Sequence, residues 1–264
     1  MSLLHEAFAR AKSENRAALI AYLPAGFPTV EKCYELVRAI IDGGADIVEV
    51  GWPYSDPLMD GPTIQKAAET ALANGAKAAD VINTVSVVAD AGAVPLVMSY
   101  WNPIERYGVK EFAKDLKAAG GVGVITPDLI PEEAKPWIDA TDGAQVDRIF
   151  LVAPSSTPQR LGVVTDATSG FVYAASLMGV TGTRQSVSSH AAELVARTRE
   201  VTNLPIAVGL GVSTPEQAAE VAQYADGVIV GSAFVKAVLD APNHDEAVVA
   251  VRNLAQKLSQ GVRR

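Results

Sequence analysis

Length, composition and charge restrict the chain to a few classes. Its 264 residues are 49% hydrophobic and 20% charged, with a mean hydropathy of +0.18, which is typical of a compact globular protein and excludes disordered and fibrous chains. The 30 acidic residues outnumber the 22 basic ones and give a formal net charge of −8. We therefore expect no nucleic-acid partner, although backbone N–H groups could still hold one small phosphorylated ligand.

The cysteine content and the apolar runs bear on the compartment. A single cysteine, Cys33, cannot form an internal disulfide, and the first residues lack a basic stretch followed by an apolar one. No apolar run approaches the roughly 18 residues that a membrane span needs. We therefore expect a cytoplasmic protein that does not enter a membrane.

Short β-branched runs alternate with stretches rich in Ala, Leu, Glu and Lys, a pattern typical of βα units. In chain order, strands are predicted at 18–23, 47–51, 95–99, 123–126, 148–152, 171–174, 205–209 and 228–230. Helices are predicted between and after them at 29–42, 63–90, 109–119, 131–140, 158–166, 188–201, 214–224 and 244–259. An additional amphipathic helix is predicted before the first strand, at 3–12.

Eight βα units in a chain of this length favour a (β/α)₈ TIM barrel with an extra N-terminal helix, since an open doubly wound sheet usually ends at five or six strands. No linker or low-complexity tract divides the sequence, so we expect a single domain over 1–264. In such barrels the βα loops build the active site. Two of these loops are long, 52–62 and 177–187, as binding loops and lids often are.

Two carboxyl groups flank the first long loop. Glu49 lies near the end of an apolar strand, where burial should raise its pKa toward neutrality and suit it to acid–base chemistry. The alternative is a structural ion pair with a nearby Lys or Arg. Asp60 ends the loop and could serve as a second, better solvated carboxyl group, or only as a turn residue beside Gly61.

Glycines end the last two predicted strands, in Gly209-Leu210-Gly211 and Gly231-Ser232. In TIM barrels this pair of loops and a short helix, here predicted to begin at Ser232, commonly bind phosphate. Ordinary tight turns are the alternative. The loop after Tyr173 contains glycines and hydroxyls that suit a lid, or a plain surface loop.

Metal chemistry is not predicted. The three histidines, His5, His190 and His244, are far apart in the sequence, and we expect no metal site from them.

The segment EVGWPYSDPLMDGPT at 49–63 closely resembles the signature of the tryptophan synthase alpha chain family. Further blocks resemble those of the family in the same order, namely YLPAGFP at 22–28, SYWNP at 99–103, PDL at 127–129, GVTG at 179–182 and VGSA at 230–233. The resemblance implies a (β/α)₈ barrel that cleaves indole-3-glycerol phosphate to indole and glyceraldehyde 3-phosphate.

The resemblance also implies roles for individual residues. Glu49 would be the general acid/base that protonates C3 of the indole, and Asp60 would stabilise positive charge at the indole nitrogen. Substrate-binding residues would be Tyr22, Met98, Ile125, Tyr173 and Thr181, and phosphate contacts would come from Gly182, Gly211, Gly231 and Ser232. Trp52, Met59 and Met98 differ from the residues expected at their positions.

A partner is implied as well. In the family a pyridoxal-phosphate beta chain condenses the indole with L-serine, within an αββα tetramer, while the alpha chain carries no cofactor. The residues facing the beta chain would be Pro53, Asp56, Asn102 and Pro103. A stand-alone lyase that releases free indole would have the same site, whereas an intact Glu49 and Asp60 argue against a catalytically silent barrel. A general phosphate-binding isomerase would not need the signature at 49–63.

Overall fold

The structure, a computed structural model, describes residues 2–175, 184–209 and 211–264, with the side chains of 184–189 left out. Its strands are β1 (Ala18–Pro24), β2 (Ile47–Gly51), β3 (Val94–Met98), β4 (Gly123–Ile125), β5 (Asp147–Ile149), β6 (Leu151–Val152), β7 (Val172–Ala175), β8 (Ile206–Gly209) and β9 (Gly227–Val230). They form one parallel sheet in the order β5-β4-β3-β2-β1-β9-β8-β7-β6.

The sheet closes into a barrel through a single residue. β5 pairs with β4 at one edge and β6 pairs with β7 at the other, yet only Phe150 separates β5 from β6. The Phe150 carbonyl also accepts a hydrogen bond from the Tyr173 N–H at 3.2 Å. The two short strands therefore fill one position, and the predicted eight-stranded barrel is confirmed.

Helices surround the barrel on the outside. They are α1 (Leu3–Ser13), α2 (Val30–Asp42), α3 (Pro62–Ala73), α4 (Ala78–Asp90), α5 (Trp101–Tyr107), α6 (Val109–Ala118), α7 (Lys135–Ala144), α8 (Pro158–Ala167), α9 (Arg184–Arg199), α10 (Pro215–Ala222), α11 (Ser232–Asp240) and α12 (His244–Gly261), with a 3₁₀ turn at Pro131–Glu133. Within the described ranges, no helix is long and apolar enough to cross a membrane.

Three helix predictions need correction. The helix predicted at 63–90 is two helices, because Gly75, at a φ of +84°, turns the chain between α3 and α4. The helix predicted at 131–140 begins as a 3₁₀ turn and continues to Ala144. The short helix at Ser232 extends to Asp240, and α5 was not predicted because it has only seven residues and contains Pro103.

Alternating side chains divide the strands into an outer and an inner face. The outer face packs against the helices, and the inner face fills the barrel with buried apolar side chains such as Ile20, Ile47 and Leu96. At the base, Phe8 of α1 contacts Phe171, with ring centroids 5.5 Å apart. The N-terminal helix thus closes the barrel at the N-terminal ends of the strands.

Candidate active site

A cavity of about 200 Å³ opens at the C-terminal ends of the strands. Its lining residues come from seven strands, from the loops that follow them and from the first turns of α3 and α11: Tyr22, Glu49, Met59, Asp60, Ile64, Met98, Leu151, Tyr173, Ala175, Gly209, Gly211, Ile229, Gly231 and Ser232. Both predicted catalytic carboxyl groups therefore face one cavity, together with Tyr22, Met98, Tyr173, Gly211, Gly231 and Ser232.

Glu49 occupies the last layer of the barrel interior. It follows the interior residue Ile47 by two positions on β2, and its Cα pairs with that of Tyr22 on β1. The side chain is 1% exposed, and its Oε1 has no hydrogen-bond partner among the described residues. Burial raises the pKa of Glu49 from 4.5 to about 8, because the apolar interior disfavours the ionised form. At neutral pH this carboxyl group holds a proton that it can donate.

Asp60 is held at the rim by a neighbouring tyrosine. Its partial burial raises the pKa of its carboxyl group, and a hydrogen bond with the Tyr100 side chain partly opposes that rise. The Tyr100 hydroxyl accepts a hydrogen bond from the Met59 N–H at 2.9 Å, and Gln65 Nε2 donates to the Asp60 carbonyl at 2.7 Å. The loop carrying Asp60 is thereby tied to the segment between β3 and α5 and to α3.

Tyr100 was not predicted as a site residue. It lies 41 positions from Met59 in the sequence, so no local pattern could indicate the contact. Its place directly after Ser99 in the block at 99–103 was the only available signal.

The rings of two tyrosines pack closely against glycines on the neighbouring strands. A Cβ on Gly51 would lie 2.6 Å from Tyr22 Cζ, and a Cβ on Gly209 would lie 2.9 Å from Tyr173 Cε1. A larger residue at either glycine would therefore displace a ring. Burial, followed by the nearby carboxyl groups, raises the pKa of both hydroxyls, so Tyr22 and Tyr173 remain neutral donors at physiological pH.

The opposite side of the cavity suits an anion. Gly211 adopts a φ of +67°, which favours glycine, and Ser232 is the first residue of α11 after the cap residue Gly231. The N–H groups in the first turn of a helix lack intrahelical acceptors and attract anions. The two predicted glycine loops are thus brought together with a helix N-terminus.

The remaining predicted substrate residues have different positions. Ile125 is fully buried in the barrel interior and does not line the cavity. Thr181 and Gly182 lie outside the described residues. Ile64, Leu151 and Ile229 line the cavity although the sequence did not predict them, and the last two continue the inward alternation of their strands.

The residues expected to face a partner lie at the same end of the barrel, Pro53 and Asp56 in the loop after β2 and Asn102 and Pro103 in the first turn of α5. Asp56 and Asn102 are exposed, Pro103 is half-buried and Pro53 is buried. The ring of Trp52 packs inward against Phe112 and Tyr107, with centroids 5.3 Å and 6.1 Å away. The Trp52 ring therefore packs mainly against other residues of this chain, between the loop after β2 and the helices α5 and α6.

Comparison with known proteins gives consistent matches over the chain. The family model for the tryptophan synthase alpha chain matches residues 8–263. The tryptophan synthase alpha chain of Thermobifida fusca is 62% identical, covering 100% of this chain and 98% of the relative, and that of Mycobacteroides abscessus is 58% identical, covering 99% and 97%. A chain in the structure of Mycobacterium tuberculosis tryptophan synthase is similar with a TM-score of 0.92 and 51% identity, covering 100% of this chain and 99% of that one.

The fold and the cavity define a barrel enzyme with a buried acid beside a site for an anion. The matches are more specific, and the chain belongs to the tryptophan synthase alpha chain family. It is a lyase that cleaves indole-3-glycerol phosphate and works with a beta chain, which holds the pyridoxal phosphate. The comparisons support this subunit role and do not support the stand-alone lyase.

Proposed function

We propose that indole-3-glycerol phosphate is cleaved in the cavity above β2, with Glu49 as the acid that starts the reaction. The observation that carries this assignment is the carboxyl group of Glu49, which is 1% exposed, lacks a partner for Oε1 among the described residues and has its pKa raised to about 8 by burial. A carboxyl group that is protonated at neutral pH is suited to protonate carbon.

The reaction can be written with balanced protons. Glu49 transfers its proton to C3 of the indole, which leaves a positive charge shared with the ring nitrogen. The carboxylate of Asp60 stabilises that cation by accepting a hydrogen bond from the ring N–H group. The hydroxyl next to the breaking C–C bond then loses its proton to the Glu49 carboxylate. The bond electrons return to the ring, so indole and the aldehyde leave and Glu49 is protonated again.

The two ends of the substrate match the two sides of the cavity. The phosphate binds at Gly211, Gly231 and Ser232, where the N-terminus of α11 meets the cavity. The indole lies beside Tyr22 and Met98, with Tyr173 across the cavity. Ile125 pairs with Met98 across β3 and β4 and shapes this apolar side from the core. The roles of Thr181 and Gly182 as substrate and phosphate contacts rest on the sequence resemblance alone.

Release of indole by the purified chain tests this function directly. We expect slow release from indole-3-glycerol phosphate by the chain alone and a large rise when a cognate beta chain is added. Failure to release indole in either condition would show that the cavity does not perform the reaction. Fast release that a beta chain does not change would contradict the partner-dependent role.

We also infer that the beta chain docks on the C-terminal face of the barrel, in an αββα tetramer. The exposed residues Asp56 and Asn102 lie on this face with Pro53 and Pro103, and Leu58 and Ile130 are 76% and 43% exposed in neighbouring loops. Contiguous exposed apolar surface is typical of protein interfaces, whereas single exposed apolar side chains are not, so the variant below tests the contribution of Leu58 directly. A Leu58→Asp variant should weaken binding of the beta chain while a matched Leu72→Asp variant, on the outer helix α3, should not.

The cellular setting follows as a further inference. We place the enzyme in the cytoplasm, where tryptophan biosynthesis would draw on it. We also treat 1–264 as one domain, because the larger of the two clusters of buried apolar residues extends from Ala17 to Val262. One cooperative unfolding transition, seen alike by fluorescence and circular dichroism, tests the one-domain inference.

A further inference from the structure

A second cavity, of about 270 Å³, lies at the base of the barrel, at the opposite end from the candidate active site. It lies between α1, the segment before β8, the segment before β9 and the last described residue. Four of its lining residues are cationic and one is a carboxylate, in a chain whose net charge is −8. We refer to it as the base pocket; the residues that matter here are Phe8, Lys12, Arg199, Pro205, Asp226 and Arg264.

Two of the four cations are already compensated. Arg16 pairs with the buried carboxylate of Asp46 at 2.6 Å, and Arg199 pairs with Asp226 at 2.8 Å. Asp226 also accepts a hydrogen bond from the Ile206 N–H at 2.9 Å through the same oxygen. The one carboxylate in the pocket is therefore engaged and does not balance any further charge.

The other two cations have no carboxylate partner among the described residues. The guanidinium of Arg264 donates to the neutral carbonyls of Ala222 and Ala225, which fix its position. Its main chain is held as well, since the Arg264 N–H donates to the Asn15 carbonyl at 3.0 Å. The side chain of Lys12, on the exposed side of α1, makes no hydrogen bond or ion pair with a described residue.

We propose that the base pocket binds a small anion, either a carboxylate or a phosphate monoester, between Lys12 and Arg264. An arginine held in place by carbonyls presents its remaining N–H groups in a fixed geometry that suits carboxylate and phosphate oxygens, and a lysine adds a mobile charge. Phe8 and Pro205 give the pocket an apolar side that accommodates the carbon skeleton of such a ligand. The bound anion links α1 to the bases of β8 and β9.

Titration calorimetry at constant ionic strength tests the proposal, with inorganic phosphate and succinate as probes. The background is Ser232→Asp, which prevents phosphate binding at the C-terminal end of the barrel. Two charge-removing variants are compared in it. Lys12→Gln alters the pocket without breaking a contact, so folding is not at risk, and Lys257→Gln removes an equally exposed lysine from α12, outside the pocket.

We expect saturable binding of at least one probe, weakened fivefold or more by Lys12→Gln and less than twofold by Lys257→Gln. The relative affinities of the two probes then assign the ligand class. No saturable binding of either probe overturns the proposal. Equal weakening in the two lysine variants overturns it too, because that result reports the overall charge of the protein and not a site.

Discussion

Replacing Glu49 with glutamine should make the protein more stable and inactive, and the size of the gain should depend on pH. The substitution keeps the size of the side chain and removes its ionisation. Burial raises the pKa of Glu49 from 4.5 to about 8. At about 1.4 kcal/mol per pKa unit, ionising this carboxyl group in the folded protein costs up to about 5 kcal/mol.

The direction of this pH dependence follows from the pKa of Glu49 in the folded and in the unfolded chain. Below pH 4.5 the carboxyl group is neutral in the folded and unfolded chains, so it does not disfavour folding. Between pH 4.5 and about 8 the unfolded chain loses the proton while folded Glu49 keeps it. The free energy of unfolding therefore falls as pH rises. Above about pH 8 the folded group ionises too, and the loss reaches its full size.

The glutamine variant does not pass through these changes. Its free energy of unfolding should equal that of the wild type near pH 4 and exceed it by up to about 5 kcal/mol at pH 9. Urea unfolding at pH 4.5, 6.5 and 8.5 measures the difference, with Glu69→Gln on the exposed face of α3 as the matched control. The control measures what removing an exposed carboxylate does to stability at each pH, and the Glu49→Gln difference is compared with it.

Indole release is measured on the same samples. Wild-type activity should fall above about pH 8, as Glu49 loses the proton that it donates. The Glu49→Gln variant should bind substrate without cleaving it. A stability difference that does not change with pH would contradict the buried, unpaired carboxyl group. Turnover above a tenth of the wild type would contradict its role as the acid.

Three further substitutions test other parts of the molecule. Ser232→Asp puts a negative charge at the N-terminus of α11 and should raise KM at least tenfold in steady-state kinetics; an unchanged KM would refute the phosphate site. Tyr100→Phe removes the hydrogen bond that lowers the pKa of Asp60, so the acid limb of kcat/KM should move to higher pH, and an unmoved limb would show that Tyr100 does not set it. Asp46→Ala leaves Arg16 buried without its main partner and should lower the free energy of unfolding by about 3–5 kcal/mol; a urea-unfolding loss under about 1 kcal/mol would contradict this.

The sequence alone predicted the strands closely, because each is a short apolar, β-branched run, whereas the stretches on either side are rich in Ala, Leu, Glu and Lys. Seven of the eight predicted strands agree with the structure to within a residue or two at each end, and the prediction at 148–152 covers the two short strands on either side of Phe150. The break between α3 and α4 was missed although Asn74-Gly75 is a turn signal. It was missed because the residues on both sides favour helix, and periodicity alone does not show where one helix ends.

The site was predicted unevenly for a different reason. Glu49 and Asp60 belong to one continuous motif, so the sequence displays them together. Leu151 and Ile229 enter the cavity only because the barrel closes and turns the inner faces of β6 and β9 toward it. The contact between Tyr100 and Met59 joins two loops. Contacts that depend on closure of the sheet have no local pattern and require the structure.

Two acids, one just before the second strand and one within it, show how the structure separates a structural carboxylate from a chemical one. Asp46 and Glu49 lie three residues apart and are 7% and 1% exposed. Asp46, at the base, accepts hydrogen bonds from Arg16 at 2.6 and 2.8 Å and from the Leu19 N–H at 2.9 Å. An ion pair with Lys or Arg was the alternative interpretation of Glu49 from the sequence. In the structure it is Asp46 that forms such a pair.

Among the residues that the structure describes, Glu49 has no cationic side chain beside it in the cavity, since none of the described lining residues is Lys, Arg or His. A buried acid with partners stabilises the fold as a carboxylate, whereas a buried acid without them stays protonated at the expense of stability. The unpaired, destabilising acid is Glu49, which lies at the end of the barrel with the cavity, where a ligand can take its proton. Asp46, at the other end, is paired and does not destabilise the fold in this way. The contrast between two neighbouring acids supports a chemical role for Glu49 more strongly than its burial alone.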